Sequence, residues 1–359
     1  MLKCVNNKTH SFLATGDIDM TYSNTKMNVN GLACTLNMPN ALKTRKDADG
    51  NEISQGLPPY APRSAYVVDE YESCPDNWMH GNSKSSSYFV GIEEGKGMWL
   101  DFNQCNNDEY DVAAVISIQG VNSITGQKTD NLGLEKYESN CPIHNEEFGQ
   151  DRFCSKCKFK WPAQNYLSTT GTPHNSFWLD GFRTPDGKVR QYIFTEEQAR
   201  GVAANTIGED RVFAIGIAFY RSKSKKKNVP YLSRSYPLYS KDIKWNNEVQ
   251  PWSTQDSYCV PCSAASATLS YNSESPSTSG VMRASTTRSI EPKKLEVAAG
   301  AQITQEVHSD PENLDYWNEE PAGFIYINYC SQDDVEKITS QGKREEIVDG
   351  FLAGIPTGN

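Results

Sequence analysis

The stretch FWLDGFRTPDGKVRQYIFTEEQARGVAANTIGEDRVFAIGIAFY, residues 177–220, holds the most legible structure in the chain. Phe177-Trp178-Leu179-Asp180 and Val189-Arg190-Gln191-Tyr192-Ile193-Phe194 are aromatic and β-branched runs on either side of Pro185-Asp186-Gly187. Proline presets φ and glycine accepts a left-handed backbone, so this reads as two strands joined by a turn. Thr195-Glu196-Glu197-Gln198 then places a hydroxyl three residues before a glutamine. That is the capping-box pattern, and it predicts a helix from Glu196 ending before Gly208. Arg211–Tyr220 follows as a buried-looking strand, which makes the block β-β-α-β.

Working outward, the first 130 residues alternate short apolar runs with Gly, Asn, Asp and Pro. The runs 64–68, 87–92, 98–102 and 112–118 read as strands, and no amphipathic helix is expected before residue 195. Asp47-Ala48-Asp49-Gly50-Asn51-Glu52 misses the ligand spacing of a calcium loop and predicts a hairpin turn instead. Trp99-Leu100-Asp101 and Trp178-Leu179-Asp180 share three residues, too few to argue a repeat. On the C-terminal side, 295–299, 302–307 and 324–329 read as strands, and Ser331-Gln332-Asp333-Asp334 as the start of a short helix closed by Gly342. The expected fold is a β-rich α+β protein, mostly antiparallel sheet, with a small zinc-knuckle insertion and few short helices.

One motif carries firm chemistry. Cys141-Pro142-Ile143-His144 and Cys154-Ser155-Lys156-Cys157 are C-x-x-H and C-x-x-C knuckles, each a tight turn whose amides can bond a sulfur. Three thiolates and an imidazole suit a tetrahedral Zn²⁺, and four protein ligands close its shell. The expectation is a structural zinc held by Cys141, His144, Cys154 and Cys157. The pair resembles zinc-ribbon or zinc-knuckle modules in general, over this short segment only, and the resemblance implies nothing about a substrate. The acidic Asn145-Glu146-Glu147 and Asp151 between the knuckles argue against a phosphate-facing surface, although Lys156, Lys158 and Lys160 follow.

Composition supplies the remaining bounds. The chain has 359 residues, a net charge of -10 and 37% hydrophobic residues, with no apolar run long enough to span a bilayer. The N-terminal residues lack a secretory or transit pattern, and sparse cysteines with a thiolate metal site fit a reducing compartment, so cytoplasmic residence without a membrane span is expected. The charge is segregated: -7 over residues 1–220, +6 over 221–290 and -9 over 291–359. Residues 253–289 contain eleven Ser and five Thr. Too little apolar surface is available there for a separate core, so 222–290 is expected as an extended arm or linker between a core domain, 1–221, and a small acidic α+β unit, 291–359. Trp245, Trp252, Tyr231, Tyr236 and Tyr239 are the arm's expected anchors. Arg221-Ser222-Lys223-Ser224-Lys225-Lys226-Lys227 is the one patch of nucleic-acid character, too short and too isolated to favour such a partner.

Catalytic constellations are missing. None of the five histidines lies in a hydrolase or protease motif, and there is no phosphate-binding glycine loop. Glu93-Glu94 and Glu319-Glu320 are adjacent and would face opposite sides of a strand. Cys259-Val260-Pro261-Cys262 sits in the Ser-rich arm without a redox context, and Cys4, Cys34, Cys74, Cys105 and Cys330 read as small buried hydrophobes. The leading expectation is a non-enzymatic structural or scaffold protein whose partner is itself, in a homo-oligomer or filament. The alternatives are an enzyme with a site assembled from distant residues such as His174, Asp180 and Cys105 (Cys74 with His80 being a weaker pair), and a zinc-stabilised adaptor for protein or nucleic acid.

Overall fold

The computed structural model describes residues 24–56, 58–79, 83–129, 131–172, 177–184, 188–207, 214–226, 289–293, 295–305 and 307–344. It is strand-rich, with two seven-stranded sheets and a two-stranded ribbon. The first sheet contains β1 (Lys26–Val29), β2 (Leu32–Asn37), β5 (Gly97–Asp101), β11 (Trp178–Leu179), β12 (Gly181–Arg183), β13 (Val189–Thr195) and β15 (Glu296–Gln302). The second contains β3 (Ala65–Val67), β4 (Ser85–Ile92), β6 (Tyr110–Ile118), β7 (Val121–Asn122), β10 (Leu167–Ser168), β14 (Ala214–Lys225) and β16 (Gly323–Ser331). Pairings are antiparallel except β4 with β16, which run parallel from Phe324↔Ser85 to Ser331↔Ile92.

Side-chain alternation explains the layering. In β6, Val112, Ala114, Ile116 and Ile118 enter the main core, while Ala113 and Val115 face a second cluster with Tyr166, Ala218, Tyr220 and Trp317. β4 and β16 repeat the pattern: Tyr88, Val90, Ile325 and Ile327 point to the main core, and Phe89 and Cys330 point to a third cluster. Leu32, Leu36, Leu100, Tyr192, Phe194 and Val297 of the first sheet share that main core. A period of 2 with both faces apolar is what a strand covered on both sides requires.

The outer face of the second sheet is covered by α2 (Gln332–Ser340), which buries Val335 and Ile338. Its start is the expected one: the Ser331 hydroxyl accepts from the Asp334 amide at 3.2 Å, and Gly342 closes it at φ 87°. The loop 38–63 covers the first sheet, anchored by Trp99 Nε1 donating to Pro59 O and Leu42 N donating to Gln191 Oε1. Within it, the turn predicted at Asp47 forms, with Asp47 N donating to Asn51 O at 2.9 Å and Gly50 at φ 85°.

Several expectations change. The hairpin opposite β13 is made by β12, whereas Trp178 and Leu179 leave to pair with Asp101 and Leu100 of β5. The two Trp-Leu-Asp segments are therefore antiparallel neighbours. Gly181 sits at the switch: a Cβ there would lie 2.2 Å from the Arg190 carbonyl oxygen and 2.7 Å from Ile303 Cδ1. Gly181→Ala is expected to lose about 1 to 3 kcal/mol, the usual cost of overpacking. Urea unfolding would read it, and an unchanged midpoint would refute the close approach.

The helix predicted at Glu196 begins later, as a 3-10 turn at Gln198–Arg200 followed by α1 (Val202–Ile207). Gly201 between them bridges to Ala298 of β15, so sheet pairing interrupts the helical run. Glu94 Oε2 also takes the Glu196 amide at 2.6 Å, a cap supplied from a distant hairpin. The boundary at 291 does not separate two cores. β15 pairs along β13 and β16 lies between β14 and β4, so the expected C-terminal unit contributes strands to both sheets. The basic cluster is in part strand and ion pair: Arg221 meets Asp108 at 2.6 Å, Lys225 meets Glu109 at 2.5 Å, and Lys226 Nζ donates to Asn106 O. Neighbouring acids answer the charges of Arg221 and Lys225. Residues 227–288 of the arm, with its aromatic anchors and Cys259 and Cys262, lie outside the described residues, as do Cys4, His80 and His174.

Candidate metal centre

Two consecutive hairpins build the site. In the first, Phe148 N donates to Ser139 O, Asn140 bridges Glu147, and Cys141 N donates to Glu146 O at 2.7 Å. In the second, Trp161 N donates to Arg152 O and β8 (Phe153–Cys154) pairs with β9 (Phe159–Lys160). Each knuckle occupies a hairpin tip, and the residue after its last ligand is left-handed: Asn145 at φ 51° and Lys158 at φ 55°. Such a backbone costs a non-glycine residue free energy and persists where surrounding contacts impose it. The reversal turns both ligand pairs toward one point.

The ligand atoms converge there. Cys141 Sγ and Cys154 Sγ each lie 3.6 Å from His144 Nδ1, and Cys141 Sγ lies 3.8 Å from Cys157 Sγ. All four donors fall within 4.8 Å of one another, close enough to hold a metal ion. The four residues chosen from spacing are the four that meet.

Electrostatics around the thiols is uneven. Burial pushes the Cys154 thiol up, yet hydrogen bonds from the Cys157 and Lys156 amides and the neighbouring thiols outweigh it and leave it lowered to about 6. Those amides are the knuckle donors expected of a metal-binding turn. For Cys157, burial dominates over the hydrogen bond from the Trp161 side chain and the thiol is pushed up to about 12. A bound cation would favour the thiolate at every position, because the ligand form is the deprotonated one.

Packing around the ligands ties the module to the body. Cys141, Cys154 and Trp161 form a small core with Tyr137 and Phe148. Tyr137 and Trp161 meet edge to face at 5.1 Å, and the Arg152 guanidinium lies 4.7 Å above Phe148. Arg183 of β12 donates from Nη1 to Lys160 O at 3.0 Å, and Lys136 Nζ donates to Asp310 O at 2.8 Å. Asp310 is itself a buried hub, taking Tyr166 Oη at 2.6 Å and Trp317 Nε1 at 3.0 Å. None of these supporting residues was found from sequence: Arg183, Asp310, Tyr166 and Trp317 are distant along the chain, and Tyr137, Phe148, Arg152 and Trp161 lie near the ligands but match no motif.

The residues considered for catalysis are placed differently. Cys105 is buried in the main core beside Cys34, donates to Ala33 O, and is pushed up to about 12 by burial. Cys74 is likewise raised to about 12, chiefly by burial. Both are protonated thiols at neutral pH, the wrong form for a nucleophile. Asp180 is 3% exposed, bonded by Trp178 Nε1 at 3.2 Å, with Oδ1 lacking a partner. Glu93 and Glu94 go separate ways, to Arg63 and to the Glu196 amide.

No protein-family model, curated protein or solved structure matches the chain. The reading of its role rests on the geometry above.

Proposed function

We propose that this is a non-enzymatic structural or scaffold protein, a zinc-stapled β-sandwich that self-assembles into a homo-oligomer or filament. The observation that carries the zinc reading is the donor spacing. A tetrahedral zinc with bonds of about 2.3 Å to sulfur and about 2.05 Å to nitrogen sets sulfur atoms about 3.8 Å apart and sulfur to nitrogen about 3.6 Å. Three of the cluster's donor pairs stand at 3.8 Å and 3.6 Å, and all four donors lie within 4.8 Å of one another. A full set of protein donors closes the shell and leaves no position for water or substrate, so the metal's contribution is to fold the two hairpins onto each other. Cys259 and Cys262 have no part in this reading.

Assembly is favoured by charge segregation and by apolar side chains on the metal module. Segments of -7, +6 and -9 in one chain attract between copies as well as within one. Ile143, in the first knuckle, is 59% exposed and Phe153, just before the second, 38%, and both are apolar. Light scattering across a concentration series should report a mass above the 40.1 kDa of one chain, falling as salt rises. A particle that stays at one chain's mass at tens of micromolar, in low and in high salt, would sink the assembly reading and leave the metal reading standing.

A further inference from the structure

The loop over the first sheet encloses an open trough of 590 Å³. Small-molecule sites typically have volumes of roughly 300 to 1,000 Å³. Its lining includes the apolar side chains of Met38, Leu42 and Pro59 and the cations Lys43, Arg45 and Lys96, without a single carboxylate. In a chain of net charge -10 that composition runs against the average surface.

Three carboxylates near this loop, Glu52, Asp47 and Glu93, already have partners. Glu52 meets Arg190 at 2.9 Å and Lys188 at 3.6 Å, and Asp47 accepts the amides of Asp49 and Asn51. Glu93 pairs with Arg63 and stands 3.8 Å from Lys96. Lys43 and Arg45 have no ion-pair partner among the described residues. The walls are held in place before any ligand arrives. Gln55 Nε2 donates to Lys43 O at 2.9 Å and Ile53 N to Arg45 O at 2.9 Å. The fully buried Gln191 takes the Leu42 amide at 2.8 Å, and Lys96 Nζ reaches Asn40 Oδ1 at 2.8 Å. Preorganised walls lower the ordering cost that a ligand would otherwise meet.

We infer that this trough is a binding site for a small organic anion carrying carboxylates on a short aliphatic body. Its charged ends pair with Lys43, Arg45 and Lys96, and its methylenes lie on Met38, Leu42 and Pro59. Exposed ion pairs are individually weak, so the complex exchanges fast with a millimolar dissociation constant. The site is independent of the metal centre and of self-assembly.

Adipate is a suitable probe, with inorganic phosphate as the anion lacking an apolar body and the Met38 methyl group, labelled with carbon-13, as a local reporter in the full-length protein. Adipate should shift the Met38 resonance saturably. The Lys43→Glu/Arg45→Glu variant should weaken that binding at least fivefold, since two pairing charges are reversed on exposed side chains that the fold does not need. Lys26→Glu, an exposed charge on β1, should leave it unchanged, and phosphate should bind at least fivefold more weakly than adipate. The inference is overturned by any of four results: no saturation at tens of millimolar adipate, a loss under fivefold in the double variant, an equal loss in Lys26→Glu, or phosphate binding that matches adipate. Retention of the parent's thermal midpoint by each variant separates loss of the site from loss of the fold.

Discussion

A Cys154→Ser/Cys157→Ser variant is expected to lose its metal and, with it, the two-hairpin module. Metal analysis of the parent should return about one zinc per chain and the variant close to none. Structural zinc sites in small modules contribute on the order of 10 kcal/mol of apparent binding free energy near neutral pH, which dwarfs the few kcal/mol that a handful of apolar contacts can add. Among the described residues, Tyr137, Phe148 and Trp161 are the large side chains packed with Cys141 and Cys154, too small a cluster to hold the left-handed turns unaided. Protease cleavage should therefore concentrate between residues 137 and 161 in the variant, and in the parent after chelation. The bodies of the two sheets, which do not pass through the module, should stay protected. A variant that kept both its metal and its resistance to cleavage would refute the site. Acid should release the metal as well, because protons compete for thiolates and imidazole, so metal content falls as pH falls.

Asp180 should make stability depend on pH in the direction opposite to a salt-bridged carboxylate. Burial raises its pKa from 3.8 to about 7, opposed only by the Trp178 indole N–H. The folded protein then holds a proton that the unfolded chain has already released between about pH 4 and pH 7. Stability consequently falls as pH rises through that window, and the whole cost of burying the charge is present above it. A shift of that size implies a loss of roughly 3 kcal/mol between pH 5 and pH 9 from this one residue. In Asp180→Asn the dependence should vanish, leaving the variant progressively more stable relative to the parent as pH rises. Guanidinium unfolding at pH 5 and pH 9 reads this directly. An equal difference between parent and variant at the two values would show that Asp180 does not carry a raised pKa.

Both predictions turn on groups whose legibility in the sequence differed. The four cluster residues, Cys141, His144, Cys154 and Cys157, were readable because each knuckle is local: two donors separated by two residues define one turn, and one turn suffices to aim both. Strand positions were readable for a similar reason. Alternation in 87–92 and 112–118 follows from a backbone whose successive side chains point to opposite faces. The short helix after Ser331 was readable because its cap and stop are contiguous with it. Asp180 was noticed as a residue but its burial was not, since no local pattern says that a carboxylate at a strand switch will be covered by the rest of the molecule.

The amino-acid sequence by itself determined the strands around 87–92, 98–102, 112–118 and 324–329, where the second helix starts and stops, and which four side chains form the Cys/His cluster, whereas the strand expected over 302–307 ends at Gln302. Each of those depends on neighbours within a few residues. Tertiary structure alone decided that β4 and β16 pair in parallel across more than two hundred residues, that the two Trp-Leu-Asp segments lie side by side, and that the C-terminal strands complete both sheets. It also decided that Gly201 joins a strand where a helix was capped to begin, and that Arg221 and Lys225 of the basic run are answered by Asp108 and Glu109. A period of 2 tells a strand which face to bury and says nothing of which strand lies beside it. That choice belongs to the global packing of apolar faces and to hydrogen bonds between residues far apart in the chain.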